Sequence, residues 1–404
     1  MAKLTAGGTT LNSKERMLRA LKGEQPDVVP SVPAYLCLFL ADFERAYYVE
    51  QYRLLMRGCS RYAIDHLEDT RFRARALYQS YGIFKARPDW LEIGLGASRA
   101  WAERTDIVAQ DGILYYEDKE SGQRLPMHES TLPWGDDGPA PSSRSVSDLW
   151  DVSEQIRSEE QVDASLPLLS AEALLADGSL DLARQVVADY GQDYFVSTIL
   201  GTPFSEAYSL LGFQGLMVIQ HDRPDLFHYL LQRMLVQMQA VQEAWAKSGI
   251  HGVYVEETFT GADMISPRSY DEFVFAYNQP FFRHMSAQGL LPIHYMCGDA
   301  IPRLHRIREL DIAAVAVEES KKNFVIEIER VVEEVGDRLA VFGNVDAVRF
   351  GLHGTQEEMT REVKRQARIG ARARGFVLST GSPLPLDSNP RQVDAMVTTA
   401  HALH

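Results

Sequence analysis

The sequence predicts a single (β/α)8 TIM barrel, on three observations. Short β-branched or aromatic runs recur at 194–199, 252–255, 291–295, 313–317, 339–342 and 375–378. Amphipathic helical stretches lie between most of them, at 222–248, 267–288 and 356–373, and such alternation builds parallel βαβ units. The four late strands fall within about ninety residues, a density that suits a barrel, with a doubly wound open sheet as the alternative.

The elements follow in order. Residues 1–13 read as a flexible leader, small and polar at first. Asn12 or Ser13 caps an N-terminal helix whose Met17, Leu18 and Leu21 share a face, and Gly23 ends it. The segment 26–30 leads into an extended stretch through Tyr35, and a helical region follows at roughly 42–62. From about 85 to 150 the strand–helix rhythm is lost. Residues 111–122 read as a hairpin with a polar, Gly-containing turn, and 133–141 as a loop rich in helix and strand breakers. That region is an excursion from a single barrel spanning 14–404.

Composition narrows the function. The chain has 404 residues, 45% hydrophobic and 24% charged, ample for one large core. Its net charge of -15 repels phosphate backbones and anionic lipid, so neither nucleic acid nor membrane is expected as a partner. Three separated cysteines make no disulfide framework. With no signal-peptide core and no apolar run long enough for a bilayer, a cytoplasmic location is expected. No glycine-rich phosphate loop follows any strand, Gly201–Phe204 included. The exposed faces of a barrel leave room for a homodimer.

A barrel carries its active site at the carboxyl ends of its strands. Those ends read Glu256-Glu257-Thr258, His294 through Cys297 to Asp299, Glu318-Glu319-Ser320, Gly343-Asn344-Val345-Asp346 and Ser379 through Ser382. Imidazole, thiolate and carboxylate are ligands that zinc accepts, and a catalytic zinc keeps a position open for substrate. Each residue also has a plainer reading. Cys297 suits a small buried hydrophobe before a glycine turn, and His294 a satisfied core histidine. Glu256 and Glu257 point to opposite sides of their strand, so only one faces the lumen. Lys321 and Lys322 make surface pairing the dull account of Glu318 and Glu319, while Asn344 and Asp346 suit a strand end and a helix cap.

Residues 14–30 resemble the opening helix and first strand of the uroporphyrinogen decarboxylase superfamily. The segments 200–204, 265–273, 342–346 and 375–381 are similar to its later motifs, in the same order. The resemblance covers about 14–404 and implies either a decarboxylase or a methyltransferase working with a corrinoid protein. The decarboxylases carry an arginine-rich segment after the first strand, where this chain has 33–40 with no arginine. They carry Gly-His-Gly near the last strand, where it has Gly381-Ser382-Pro383. An anionic tetrapyrrole needs cationic partners, so methyl transfer is the expectation. The thiol-methylating type resembles His-x-Cys-Gly with a distant Cys; Tyr295 and Ser382 occupy those places here. The aromatic O-demethylase type resembles Glu-x14-Glu-x20-His. Glu257 and Glu272 have fourteen residues between them and His294 follows after twenty-one.

The resemblance therefore implies zinc held by Glu257, Glu272 and His294, with Cys297 as an alternative ligand and Glu257 and His294 as the catalytic pair. Tyr35, Phe204, Asn344, Asp346 and Ser382 would bind substrate. Zinc would polarise the ether oxygen of a methoxylated aromatic, and the methyl group would pass to Co(I) of cobalamin on a separate corrinoid protein. No Asp-x-His-x-x-Gly corrinoid motif occurs in this chain. Glu257 would alternatively serve as proton donor to the phenolate. Rival readings are another methyl donor (methylamine, thioether or halide), a decarboxylase or lyase on a small aromatic acid, and a non-catalytic binding barrel.

Overall fold

Asn12 sets the start of α1 (Ser13–Lys22): its side chain accepts from Glu15 N at 2.8 Å while the Glu15 carboxylate accepts from Asn12 N. Gly23, at φ 76°, ends it in the left-handed region. In the computed structural model residues 10–34, 88–95, 98–110, 113–126, 156–385, 388 and 390–404 are described. The helical region expected at 42–62, the loop at 133–141 and Tyr35 lie outside them.

The extended stretch before Tyr35 narrows to β1 (Ser31–Val32), and β2 (Trp90–Glu92) follows. Next come β3 (Thr105–Gln110), β4 (Ile113–Asp118) and β5 (Arg124–Pro126), an antiparallel sheet of their own. The expected hairpin is thus β4–β5, enlarged by β3, and its turn contains Gly122 at φ 68°. The regular part of the chain supplies β6 (Phe195–Gly201), β7 (Gly252–Glu257), β8 (Leu291–Met296), β9 (Ala314–Val317), β10 (Ala340–Phe342) and β11 (Gly375–Ser379).

Eight strands pair in parallel in the order β1-β11-β10-β9-β8-β7-β6-β2. The two edges meet where Asp89 N donates to Ser31 O (3.0 Å) and Ser31 N donates to the Asp89 carboxylate (2.8 Å). Arg16 of α1 and His401 bond the same carboxylate, at 2.6 and 2.7 Å. The barrel strand β2 lies inside the region read as an excursion. Three residues are too few to show a period, which is why the sequence conceals it.

Helices cover the outside. They include α2 (Pro203–Asp222), α3 (Pro224–Ser248), α4 (Ala276–Ala287), α5 (Ile328–Val335), α6 (Gln356–Gly370) and α7 (Pro390–His401). Thr202 caps α2 with Pro203 in its first turn, and Thr355 with Glu358 forms a reciprocal cap on α6. On α5, Ile328, Val331, Val332 and Val335 make one buried stripe, each worth roughly 1.5–3 kcal/mol when removed from water.

Side-chain alternation divides the core in two. Val32, Trp90, Phe195, Tyr254, Ile293, Tyr295, Ala314, Ala316, Ala340, Phe342 and Val377 fill the lumen, and Met17, Ala20 and Leu21 of α1 belong to the same cluster. Leu91, Val196, Val253, Val255, Met296, Val315, Val317, Val341 and Leu378 face the helices. This phase decides where every strand-end residue points.

Candidate active site at the carboxyl ends of the strands

On β7, Tyr254 faces the lumen, so Glu256 does too, and Glu257 turns to the helices with Val253 and Val255. On β8, Ile293 and Tyr295 face the lumen, Cys297 follows in phase, and His294 turns outward with Met296. The register Glu256↔Tyr295 brings the two strands level. Cys297 Sγ comes to 3.9 Å from Glu256 Oε1. Beneath them the rings of Tyr254 and Tyr295 stack at 5.1 Å and 25°, and the Tyr295 hydroxyl donates to Gly381 O at 2.7 Å. By the same alternation Glu92 and Glu318 also belong to the lumen side.

Crowding of acids sets the electrostatics. Burial raises the Cys297 thiol well above its usual range, and the nearby Glu256 and Glu318 carboxylates add to the effect. Burial likewise raises Glu318, against the pull of the Gly298 N–H (3.0 Å) and the Lys321 ammonium. Glu206, at the start of α2, is raised by burial and by Glu256, although Gly201 N donates to it at 3.1 Å. Shifts of this kind cluster at functional sites.

Glu257 and His294 do come together, with Nε2 3.2 Å from Oε2 and both side chains fully buried. They do so between the sheet and α4, not over the barrel mouth. Thr260 Oγ1 donates to Glu257 at 2.8 Å, Asn278 of α4 donates to its other oxygen, and Phe282 sits edge-on to the imidazole. Burial favours protonation of Glu257, but the adjacent imidazole and these donors outweigh it and hold the carboxyl below its ordinary range. The expected lumenal position of this pair is therefore corrected. In a parallel barrel both strand faces are apolar, so no polar alternation reveals which is inner.

Glu272 does not join them. It lies in the π-helical turn Tyr270–Phe275, half-buried, 3.5 Å from His228 Nε2 and 3.5 Å from Arg268 Nε. A π-turn takes in one residue more than an α-turn, matching in number the one-residue excess in the Glu272–His294 spacing. Phe204 is core, edge-on to Phe227 at 5.7 Å. Asn344 tethers a loop by donating to Glu318 O and Ile326 O, both at 3.1 Å. Asp346 caps the turn Ala347–Leu352 through Arg349 N (2.8 Å). Ser382 bonds both oxygens of Glu319, at 2.9 and 2.8 Å, and accepts from Lys321 at 2.8 Å. Sequence reasoning chose Glu257 over Glu256 and passed over Glu92 and Tyr254. No sequence signal singles out Glu256; what finds it is the strand register, which pairs it with Tyr295, two residues before Cys297.

Among the described residues no three of His, Cys, Asp and Glu converge as a metal would require. Glu257, Glu272 and His294 do not fit zinc as a set, because the third side chain leaves the other two. Glu256 and Cys297 do fit its donor chemistry, as two of the three protein ligands a catalytic zinc takes. Among the described residues no helix is long and apolar enough to cross a membrane.

A nearly closed parallel barrel with acids, a thiol and hydroxyls at the carboxyl ends of its strands defines a barrel of the enzyme type. The sequence profile of the uroporphyrinogen decarboxylase (URO-D) family matches residues 151–403, and the chain belongs to that family. It is 24% identical over 262 residues to the uroporphyrinogen decarboxylase of Rhodococcus opacus (strain B4), covering 62% of this chain and 70% of that one. It is 25% identical over 179 residues to that of Vesicomyosocius okutanii, covering 44% and 49%. The chain thus spans about half the length of that second relative. The solved methyltransferase from Methanosarcina mazei shares the fold, with a TM-score of 0.61, 18% identity and coverage of 96% of this chain and 98% of that one.

Proposed function

We propose that the chain is a methyltransferase that moves a methyl group from a methoxylated aromatic to Co(I) of cobalamin on a separate corrinoid protein. The observation that carries this reading is the Glu256–Cys297 pair on the lumen side, 3.9 Å apart above a stacked tyrosine floor. Zinc held there would act as a Lewis acid on the leaving oxygen. The rings of Tyr254 and Tyr295 give a flat, dry base for an aromatic substrate, and the Tyr295–Gly381 bond fixes one of them. Glu318, which burial keeps toward its protonated form, would hand a proton to the departing phenolate as the C–O bond breaks. Glu257, in the helix layer, is not.

The curated relatives are named as decarboxylases of a porphyrinogen, and that is the competing reading. A polyanionic substrate is held by clustered arginines and lysines. The described titratable residues on the lumen side of these strand ends are Glu92, Glu256, Cys297 and Glu318, with Lys321 near Glu318, a set of the opposite charge. A different methyl donor is compatible with the same site.

The test is zinc content together with demethylation of a methoxyarene by the purified protein, with and without added corrinoid protein. Glu256→Ala and Cys297→Ala are expected to lose zinc and at least ~100-fold in turnover, the scale of losing a metal's activation of the leaving group. Porphyrinogen decarboxylation by the purified chain, or demethylation that proceeds without corrinoid protein, would sink the reading.

A further inference from the structure

The buried Glu257–His294 pair is unused by the chemistry above, and its placement assigns it a role. Burying two charged or polar partners carries a desolvation penalty, and apolar residues of similar size often serve stability as well or better. The Glu257 half of the pair is nevertheless tied to its surroundings, while His294 Nδ1 has no hydrogen-bond partner among the described residues and the imidazole's polar contact is Glu257. The Glu257 carboxylate is bonded by Thr260 and Asn278 and lies 3.2 Å from His294. The Glu257 carbonyl accepts from Cys297 N at 3.0 Å. Glu257 follows Glu256 directly, and His294 precedes Tyr295, the partner of Glu256 in the ladder.

The loop after β7 is clamped as well. Thr258 N donates to Ser205 Oγ (2.8 Å), and Thr260 is held on Glu257. Between them Phe259 is forced to φ 65°, a conformation that costs a bulky side chain, with its ring stacked on Tyr208 at 4.9 Å. Strain of this kind persists only where the surroundings over-determine it.

We infer that Glu257 and His294 are positioning residues: from the helix side of the sheet they fix the ends of β7 and β8 so that Glu256 and Cys297 meet on the lumen side. This rests on the proposed function for its purpose, but its geometry does not require metal or donor.

The test follows alkylation of Cys297 by iodoacetamide in the metal-free protein, read on its peptide by mass spectrometry, in wild type and in the double variant Glu257→Leu/His294→Leu. The double variant is expected to fold, with Cys297 alkylated at least about threefold faster or slower, zinc bound about tenfold more weakly and, in the loaded enzyme, kcat lowered with KM little moved. Should the double variant not fold, Thr260→Val, which removes one donor to Glu257, is read in the same way. A wild-type alkylation rate in whichever variant folds overturns the proposal. Loss of the methyl-transfer reading shows itself separately, as wild-type protein that neither binds zinc nor demethylates.

Discussion

Glu256 and Glu257 are neighbours in sequence, yet the strand between them sends one carboxylate to the lumen and the other to the helix layer. Their substitutions should therefore separate. Glu256→Gln is expected to leave urea stability within about 1 kcal/mol of wild type, since its group is only half-buried and the amide keeps its size. Glu257→Gln leaves His294 buried beside a neutral partner and is expected to cost roughly 3 kcal/mol, the scale of breaking a buried pair. Equal effects in urea titrations would contradict the assigned facing. His251 offers a second handle. Its Nδ1 accepts from Val196 N at 2.9 Å, and burial, then the charge of Lys14, lowers its pKa to about 4. The fold therefore favours the neutral ring. Its stabilisation is complete above the unfolded pKa of about 6.5 and is lost as pH falls toward 4. Between about pH 7 and 5 the loss is on the order of 1 kcal/mol, after allowance for solvent screening of this partly exposed ring. His251→Asn is expected to flatten that slope.

At the scale of elements, Gly375 shows how tightly the first helix closes the barrel. A Cβ there would run into the carbonyl oxygen of Ala20, an overlap the backbone cannot relieve without moving. Gly375→Ala is expected to cost more than about 2 kcal/mol, in the overpacking range, with a fall in melting temperature as the readout; an unchanged melting temperature would place α1 differently. The regular elements from β6 onward were legible because their strands show β-branched runs and their helices show an apolar stripe. Strand β1 reads as an extended stretch longer than its two residues, and β2, at three residues, was not legible. The π-turn at Tyr270–Phe275 was also hidden: nothing in the local residue types distinguishes it from an α-helix, and Glu272 sits within it, away from the pair it was expected to join.

Across the whole molecule, one buried carboxylate ties the two sheet edges together beside the backbone bond from Asp89 N to Ser31 O. Asp89 gathers Ser31 N, Arg16 and His401 where the two sheet edges meet. Asp89→Ala removes the acceptor of Ser31 N, Arg16 and His401 while Arg16 keeps its pair with Asp27, so a loss of about 2–3 kcal/mol is expected in denaturant titration, and a loss under about 1 kcal/mol would show that the seam is held elsewhere. No local pattern announces this residue, because its three partners lie 58, 73 and 312 positions away. By itself the amino-acid order determined the alternation of strands and helices, the family motifs, and which reactive side chains end each strand. Only the tertiary structure decided which of those side chains face inward. A parallel barrel buries both faces of every strand, so hydrophobicity carries no mark of inside and outside; the phase emerges only when the sheet closes around its lumen.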